Sequence, residues 1–258
     1  MPNYYKLYDG LIWSLKQRGV LNSPKLEQAF RKYPRYYFLP QDLVHQAHID
    51  APIHIAEGQT ASQPYTIAFM LELLNVQPGN FVLEIGYGSG WQTALLSYLV
   101  GKQGVVFATE VRESLCKFGA RNIERFRLEN VFLFCKNVFD LVPEMSGFCK
   151  VVSHPAASDY SSVALAPLEQ SLVYPKDGGA QLMEALEAMC KRGGVMFDRI
   201  IAGAAFSEQD ILKLQMLLAP DGIAVIPSQD NSILRIEHAA DGFRVTRHPG
   251  FVFVKGVK

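Results

Sequence analysis

Residues 82 to 96, Val-Leu-Glu-Ile-Gly-Tyr-Gly-Ser-Gly-Trp-Gln-Thr-Ala-Leu-Leu, set Gly86, Gly88 and Gly90 directly behind a short apolar run that contains Glu84. Glycines at this spacing let a backbone turn tightly and approach a ligand without a Cβ in the way, and the free N–H groups of a following helix would face that ligand. The chemistry indicated is the binding of a nucleotide-like cofactor. A nicotinamide, a flavin and S-adenosylmethionine all use such turns. The dinucleotide fingerprint needs a glycine at the position of Trp91, where an indole works against close approach to a pyrophosphate. About 20 residues further on, Glu110 ends a second apolar run at the place where a carboxylate accepts from ribose hydroxyls; the competing role is to cap a helix beginning near Val111.

These residues need a sheet to hold them. Trp91, Ala94, Leu95, Tyr98 and Leu99 recur at helical spacing, so the pattern reads strand, turn, helix. Strands are predicted at 104 to 109, 131 to 135, 197 to 202 and 223 to 226, with helices over 112 to 126 and after Ser207, whose Ser-Glu-Gln-Asp run resembles a capping box. Two late β-like runs fall at 232 to 237 and 251 to 254. Regular alternation of this kind predicts a mostly parallel, doubly wound α/β sheet covered on both faces. Two helices precede it, over 3 to 20 and 24 to 33, the second with Ser23 as N-cap and Pro24 at its first position. From Asp42 to Pro64 no period is sustained, and a long loop in a compact chain is often functional.

Between Pro143 and Val195 the rhythm breaks. This stretch holds a polar run, Ser153 to Asp159, and a helical stripe of Leu182, Ala185, Leu186, Met189 and Cys190 that must be buried against the chain itself, as a lid, or against another subunit. The 258 residues, 49% hydrophobic and 19% charged, suffice for one elaborated domain: helices and loop over 1–80, a core over 81–143 and 196–258, and an insertion over 144–195. The charge balance of 25 basic and 25 acidic residues gives no electrostatic footprint for nucleic acid. No apolar run approaches the roughly 18 residues of a membrane span, and the polar start points to the cytoplasm. Cys116, Cys135, Cys149 and Cys190 lack C-x-x-C spacing, so reduced thiols are expected, and neither zinc nor a Cys149, His154, Cys190 metal site is favoured.

The loop Asp50-Ala-Pro-Ile-His-Ile-Ala-Glu-Gly-Gln-Thr-Ala-Ser-Gln-Pro64 resembles the signature of protein-L-isoaspartate O-methyltransferases. Phe38-Leu-Pro40, the Gly86 to Thr93 turn, Asn130-Val131, Phe197-Asp198 and the ending Gly250-Phe-Val-Phe-Val-Lys255 match the same family, nearly throughout the chain apart from residues 144 to 195. The resemblance implies a Rossmann-like class I S-adenosylmethionine-dependent methyltransferase fold with its insertion after the third strand. It also implies methylation of the α-carboxylate of L-isoaspartyl residues in damaged proteins, a repair reaction that leaves S-adenosylhomocysteine. By position Ser62 would orient that carboxylate; Gln59, Thr60, Ala61 and Ser62 would line the cofactor, with Glu84, Gly86, Gly88 and Gly90 at its amino-acid portion, Glu110 at the ribose and Asn137 at the adenine. No metal is implied. Gln63 would make either a structural or a substrate hydrogen bond.

The chain departs from the family at Lys136-Asn137, where Gly-Asp is usual, at Ala61 and His54, and at Tyr87, which would stack on a ligand or narrow the pocket. Asn137 keeps a carbonyl acceptor but loses a charged hydrogen bond. The alternatives are the same cofactor with a different peptide carboxylate, or a noncatalytic S-adenosylmethionine-binding module. A monomer is expected, with a dimer through residues 144 to 195 as the other possibility.

Overall fold

Alternation of burial along the strands sets the layers. In β3 (Phe81–Ile85), Phe81, Leu83 and Ile85 point into one apolar cluster and Val82 into another, and β4 (Val105–Glu110) repeats the pattern with Phe107 opposed to Val106 and Ala108. The computed structural model describes residues 4–152 and 161–256. Its main sheet also contains β5 (Val131–Cys135), β6 (Leu172–Tyr174), β7 (Phe197–Ala202), β8 (Leu218–Ser228), β9 (Ser232–Ala239) and β10 (Gly242–Pro249), in the order β10-β9-β8-β7-β3-β4-β5-β6. The run β5-β4-β3-β7-β8 is parallel, and β6, β9 and β10 are antiparallel to their neighbours. This is the expected mostly parallel α/β sheet.

One face is covered by α1 (Tyr4–Gln17), α2 (Pro24–Lys32), α3 (Pro64–Leu74), α4 (Trp91–Val100) and α5 (Glu113–Glu124). The opposite face carries α6 (Val138–Val152), α7 (Ser161–Ser171), α8 (Gly179–Lys191) and α9 (Glu208–Gln215). The predicted caps are present: the Ser23 hydroxyl accepts from the Leu26 N–H at 3.3 Å, and the Ser207 hydroxyl accepts from the Asp210 N–H at 3.3 Å.

The described residues of the 144 to 195 stretch are part of the body. Leu182, Leu186 and Met189 of α8 are fully buried in the cluster that holds Met145, Phe148 and Phe197, and β6 pairs with β5 at the sheet edge. The stripe therefore faces the chain's own sheet, the first of the three readings, in place of a lid or a subunit contact. The polar run Ser153 to Asp159 lies outside the described residues.

Two disulfides correct the expectation of reduced thiols. Cys116 of α5 joins Cys135 at the end of β5, with Cα atoms 5.5 Å apart, and Cys149 of α6 joins Cys190 of α8 at 5.2 Å. Each pair joins two different elements that meet only in the folded chain, so spacing along the sequence carried no sign of it. The Cys149, His154, Cys190 grouping thereby loses its thiolates, and His154 lies outside the described residues.

Smaller corrections concern the loops. The 42 to 64 stretch contains a hairpin of β1 (Ile53–Ala56) and β2 (Gln59–Ala61). Residues 251 to 254 are not a strand, and the last antiparallel strand is β10 instead.

Candidate functional site

The order of the strands reverses at β3, which has β4 on one side and β7 on the other; in open α/β sheets ligands bind beyond the carboxyl ends of the strands at such a point. There the turn after β3 and the turn after β7 touch. Gly203 N–H donates to the Ile85 carbonyl at 2.8 Å, and a Cβ on Gly203 would stand 2.6 Å from the Gly86 oxygen, so the turn after β7 has no room for a side chain at Gly203. The pocket above spans about 940 Å³ of space when the open solvent at its mouth is counted.

Gln59, Thr60, Ala61, Ser62, Glu84, Gly86, Gly88, Glu110 and Asn137 all line this pocket. Gly90 stands behind the wall as the N-cap of α4: its φ is 82°, and a Cβ there would lie 3.2 Å from the Gly119 oxygen. Its glycine serves the packing of the turn against α5. Trp91 explains the missing third glycine, because its indole N–H donates to the Tyr33 carbonyl at 2.8 Å and ties α4 to the amino-terminal helices.

Glu110 closes the turn. One carboxylate oxygen accepts from the Gly88 N–H at 3.2 Å, the other from the Val111 and Arg112 N–H groups at 2.8 and 3.1 Å. The side chain thus holds the turn and the residues leading into α5, which starts at Glu113, and it also borders the pocket. Glu84 is fully buried; Gln92 donates to its Oε1 at 3.1 Å, while Oε2 has no hydrogen-bond partner among the described residues. Burial pushes its carboxyl up to about 7, against the opposing influence of the neighbouring Thr93 and Gln92 side chains. An unpartnered acceptor in the wall suits a ligand that brings a donor, such as the amino group of an amino-acid moiety.

Asn137 is an N-cap: its Oδ1 accepts from the Phe139 N–H at 2.9 Å, leaving a second lone pair toward the pocket. Tyr87 borders the pocket and is buried against α5, where its hydroxyl donates to the Cys116 carbonyl at 3.4 Å. His54 is exposed on the outer strand of the hairpin opposite Thr60. Gln63 donates to the Asp50 carbonyl at 3.1 Å, the structural alternative.

The hairpin forms the roof. Its tip is fixed by Glu57, which accepts from Arg112 at 3.2 Å and from the Ser114 hydroxyl, and its base carries Ser62 into the pocket wall. Residues that sequence reasoning missed are Gly203 and Ala204 after β7 and Val254 to Gly256 at the end of the chain, which also line the pocket. The first pair was readable from the rule that ligands sit at strand carboxyl ends. The second is held by reciprocal bonds to Ala205 at 2.8 Å, a tertiary contact with no local signature.

A family model described as protein-L-isoaspartate(D-aspartate) O-methyltransferase matches residues 7–168. A protein-L-isoaspartate O-methyltransferase of Pyrococcus horikoshii is 32% identical over 204 residues, covering 78% of this chain and 92% of the relative. One of the same name from Petrotoga mobilis is 42% identical over 121 residues, covering 47% of this chain and 55% of the relative. Among solved structures, a β-aspartate methyltransferase from Plasmodium falciparum in complex with S-adenosyl-L-homocysteine aligns with a TM-score of 0.68 at 21% identity over 96% of this chain and 97% of that one. A second structure, a protein-L-isoaspartate O-methyltransferase, aligns at 0.67 and 22% identity over 97% of this chain and 66% of that one. At those identities the structures speak to the fold.

Proposed function

The chain belongs to the protein-L-isoaspartate(D-aspartate) O-methyltransferase family, and on that premise we propose that the Ser62 loop holds an isoaspartyl carboxylate against a cofactor seated on the Gly86–Gly88 turn. The enzyme transfers a methyl group from S-adenosylmethionine to the α-carboxylate of L-isoaspartyl residues in damaged proteins, yielding S-adenosylhomocysteine. The observation that carries the site assignment is one pocket lined by Thr60 and Ser62 on one side and Glu84, Gly86 and Glu110 on the other.

S-adenosylmethionine, when bound, supplies a methyl group already activated on a sulfonium. A carboxylate oxygen forms the new C–O bond as the S–C bond breaks and its electron pair stays on sulfur. No proton moves, because a carboxylic acid with a pKa of about 3 to 4 is ionised at neutral pH. The chain therefore needs no general base. Its task is alignment and exclusion of water: Ser62 donates a hydrogen bond that orients the carboxylate, while Glu84 would hold the amino group of the cofactor and Glu110 its ribose. The methyl ester then loses methanol as the neighbouring backbone nitrogen closes a succinimide.

The test is methanol release after base treatment of an isoaspartyl peptide incubated with the enzyme and cofactor. Loss of one hydrogen bond to a charged group costs about 1.5 to 3 kcal/mol. Ser62→Ala is therefore expected to lower kcat/KM by roughly 10- to 150-fold while calorimetry with S-adenosylhomocysteine changes little. An unchanged kcat/KM would remove Ser62 from the site. We further propose that the chain acts as a monomer in the cytoplasm, a reading supported on the first point by the burial of the α8 stripe within the chain.

A further inference from the structure

Arg35 follows Pro34 in a short 3₁₀ turn (Arg35–Phe38) and is completely buried. Its guanidinium meets backbone carbonyls: Nη1 donates to Ile49 at 3.2 Å, and Nη2 to Ala51 at 3.0 Å, Ala61 at 2.9 Å and Ser62 at 2.8 Å. Asp50, the nearest carboxylate that acts on it, is bridged to Arg18 instead. Burial pulls the Arg35 pKa down to about 10, so it remains a cation at neutral pH. Burying a cation on carbonyl dipoles and the Trp91 ring, 5.6 Å away, is costly without a paired carboxylate, and a fold that needed only to fill the space would do better with an apolar side chain.

What the cation holds is specific. The Ala61 carbonyl belongs to the peptide before Ser62 and the Ser62 carbonyl to the peptide after it. Fixing both planes fixes φ and ψ of Ser62 and hence the direction of its Cα–Cβ bond, leaving only the hydroxyl rotamer free. Packing contributes little here, since the apolar support of this loop is a small separate cluster of Leu39, Ala47, Ile53 and Ala61.

We propose that Arg35 is a positioning residue for methyl transfer, clamping the two peptide groups that flank Ser62 so that its hydroxyl is aimed at the substrate carboxylate. The proposal rests on the role given to Ser62 above. It acts through Ser62, which makes it separable from a general contribution to folding.

The experiment is a double-mutant cycle on the full chain with an isoaspartyl peptide. Arg35→Lys keeps the charge but offers a single nitrogen with three donors, too compact to reach carbonyls spread over residues 49 to 62. Its expected effect is a loss of kcat/KM of tenfold or more when Ser62 is present and less than twofold in the Ser62→Ala background. An equal loss in both backgrounds, or none in either, overturns the proposal. Ser62→Ala alone, measured in the same cycle, reports separately on the role of Ser62. If Arg35→Lys does not fold, hydrogen exchange of the unaltered enzyme decides. The segment 59 to 63 is expected to be protected at least 100-fold more than the hairpin tip at 57 and 58, and equal exchange rates overturn the clamp.

Discussion

Glu84 lies near the midpoint of its titration at neutral pH, because burial raises its carboxyl to about 7. In the unfolded chain the same group titrates near 4.3. A carboxyl whose pKa is raised by folding favours the folded state below the unfolded value, and that contribution disappears as the pH climbs through the folded one. Glu84→Gln removes the titration. The stability of the parent relative to this variant is expected to fall by at most about 3 kcal/mol between pH 4 and 8, as read by urea unfolding at several pH values; a constant difference would place Glu84 in a solvated setting. The glycine turn, Glu84 and Ser62 were legible because their types and spacing are local. The charge state of Glu84 was not, since it depends first on burial in the assembled core. Arg35 gave no signal either: it sits in a stretch rich in tyrosine, and an arginine is seldom buried without a partner.

Among the elements, α8 separates structural from functional expectation. Its stripe of Leu182, Ala185, Leu186 and Met189 could be read from helical spacing, but its partners Met145, Phe148 and Phe197 come from other parts of the chain. Truncating a fully buried leucine costs about 2 to 5 kcal/mol. Leu186→Ala is expected to lower the melting temperature markedly while leaving KM for the peptide within twofold, and a large KM change at unaltered stability would restore the idea of a lid. The hairpin of β1 and β2 escaped detection because strands of 4 and 3 residues are too short to display a period. The strand β10 escaped it because it lies exposed at the sheet edge and reads Gly-Phe-Arg-Val-Thr-Arg-His-Pro, with little apolar alternation.

For the molecule as a whole, two apolar clusters share one sheet, which supports our proposal that the chain is a single domain. The disulfides act at this scale. Cys116–Cys135 ties α5 to β5 beside the pocket, and Cys149–Cys190 ties two helices on the opposite face, closing stretches of 19 and 41 residues. The chain-entropy model gives about 3 to 4 kcal/mol for loops of such lengths. A reductant is expected to lower the melting temperature of the oxidised protein, and the Cys149→Ser, Cys190→Ser double variant should lose roughly half of that sensitivity. A melting temperature indifferent to reductant would mean that the thiols are free in solution. Such a result would also fit a reducing compartment. The parallel order of the sheet was legible from the alternation of elements; the cystines, which join residues by proximity alone, were not.

The grip of Arg35 on the Ser62 loop involves main-chain oxygens only. Such an anchor is blind to the identity of the side chains it displays. A change of side chain at position 62 would therefore leave the four bonds that hold the backbone there in place.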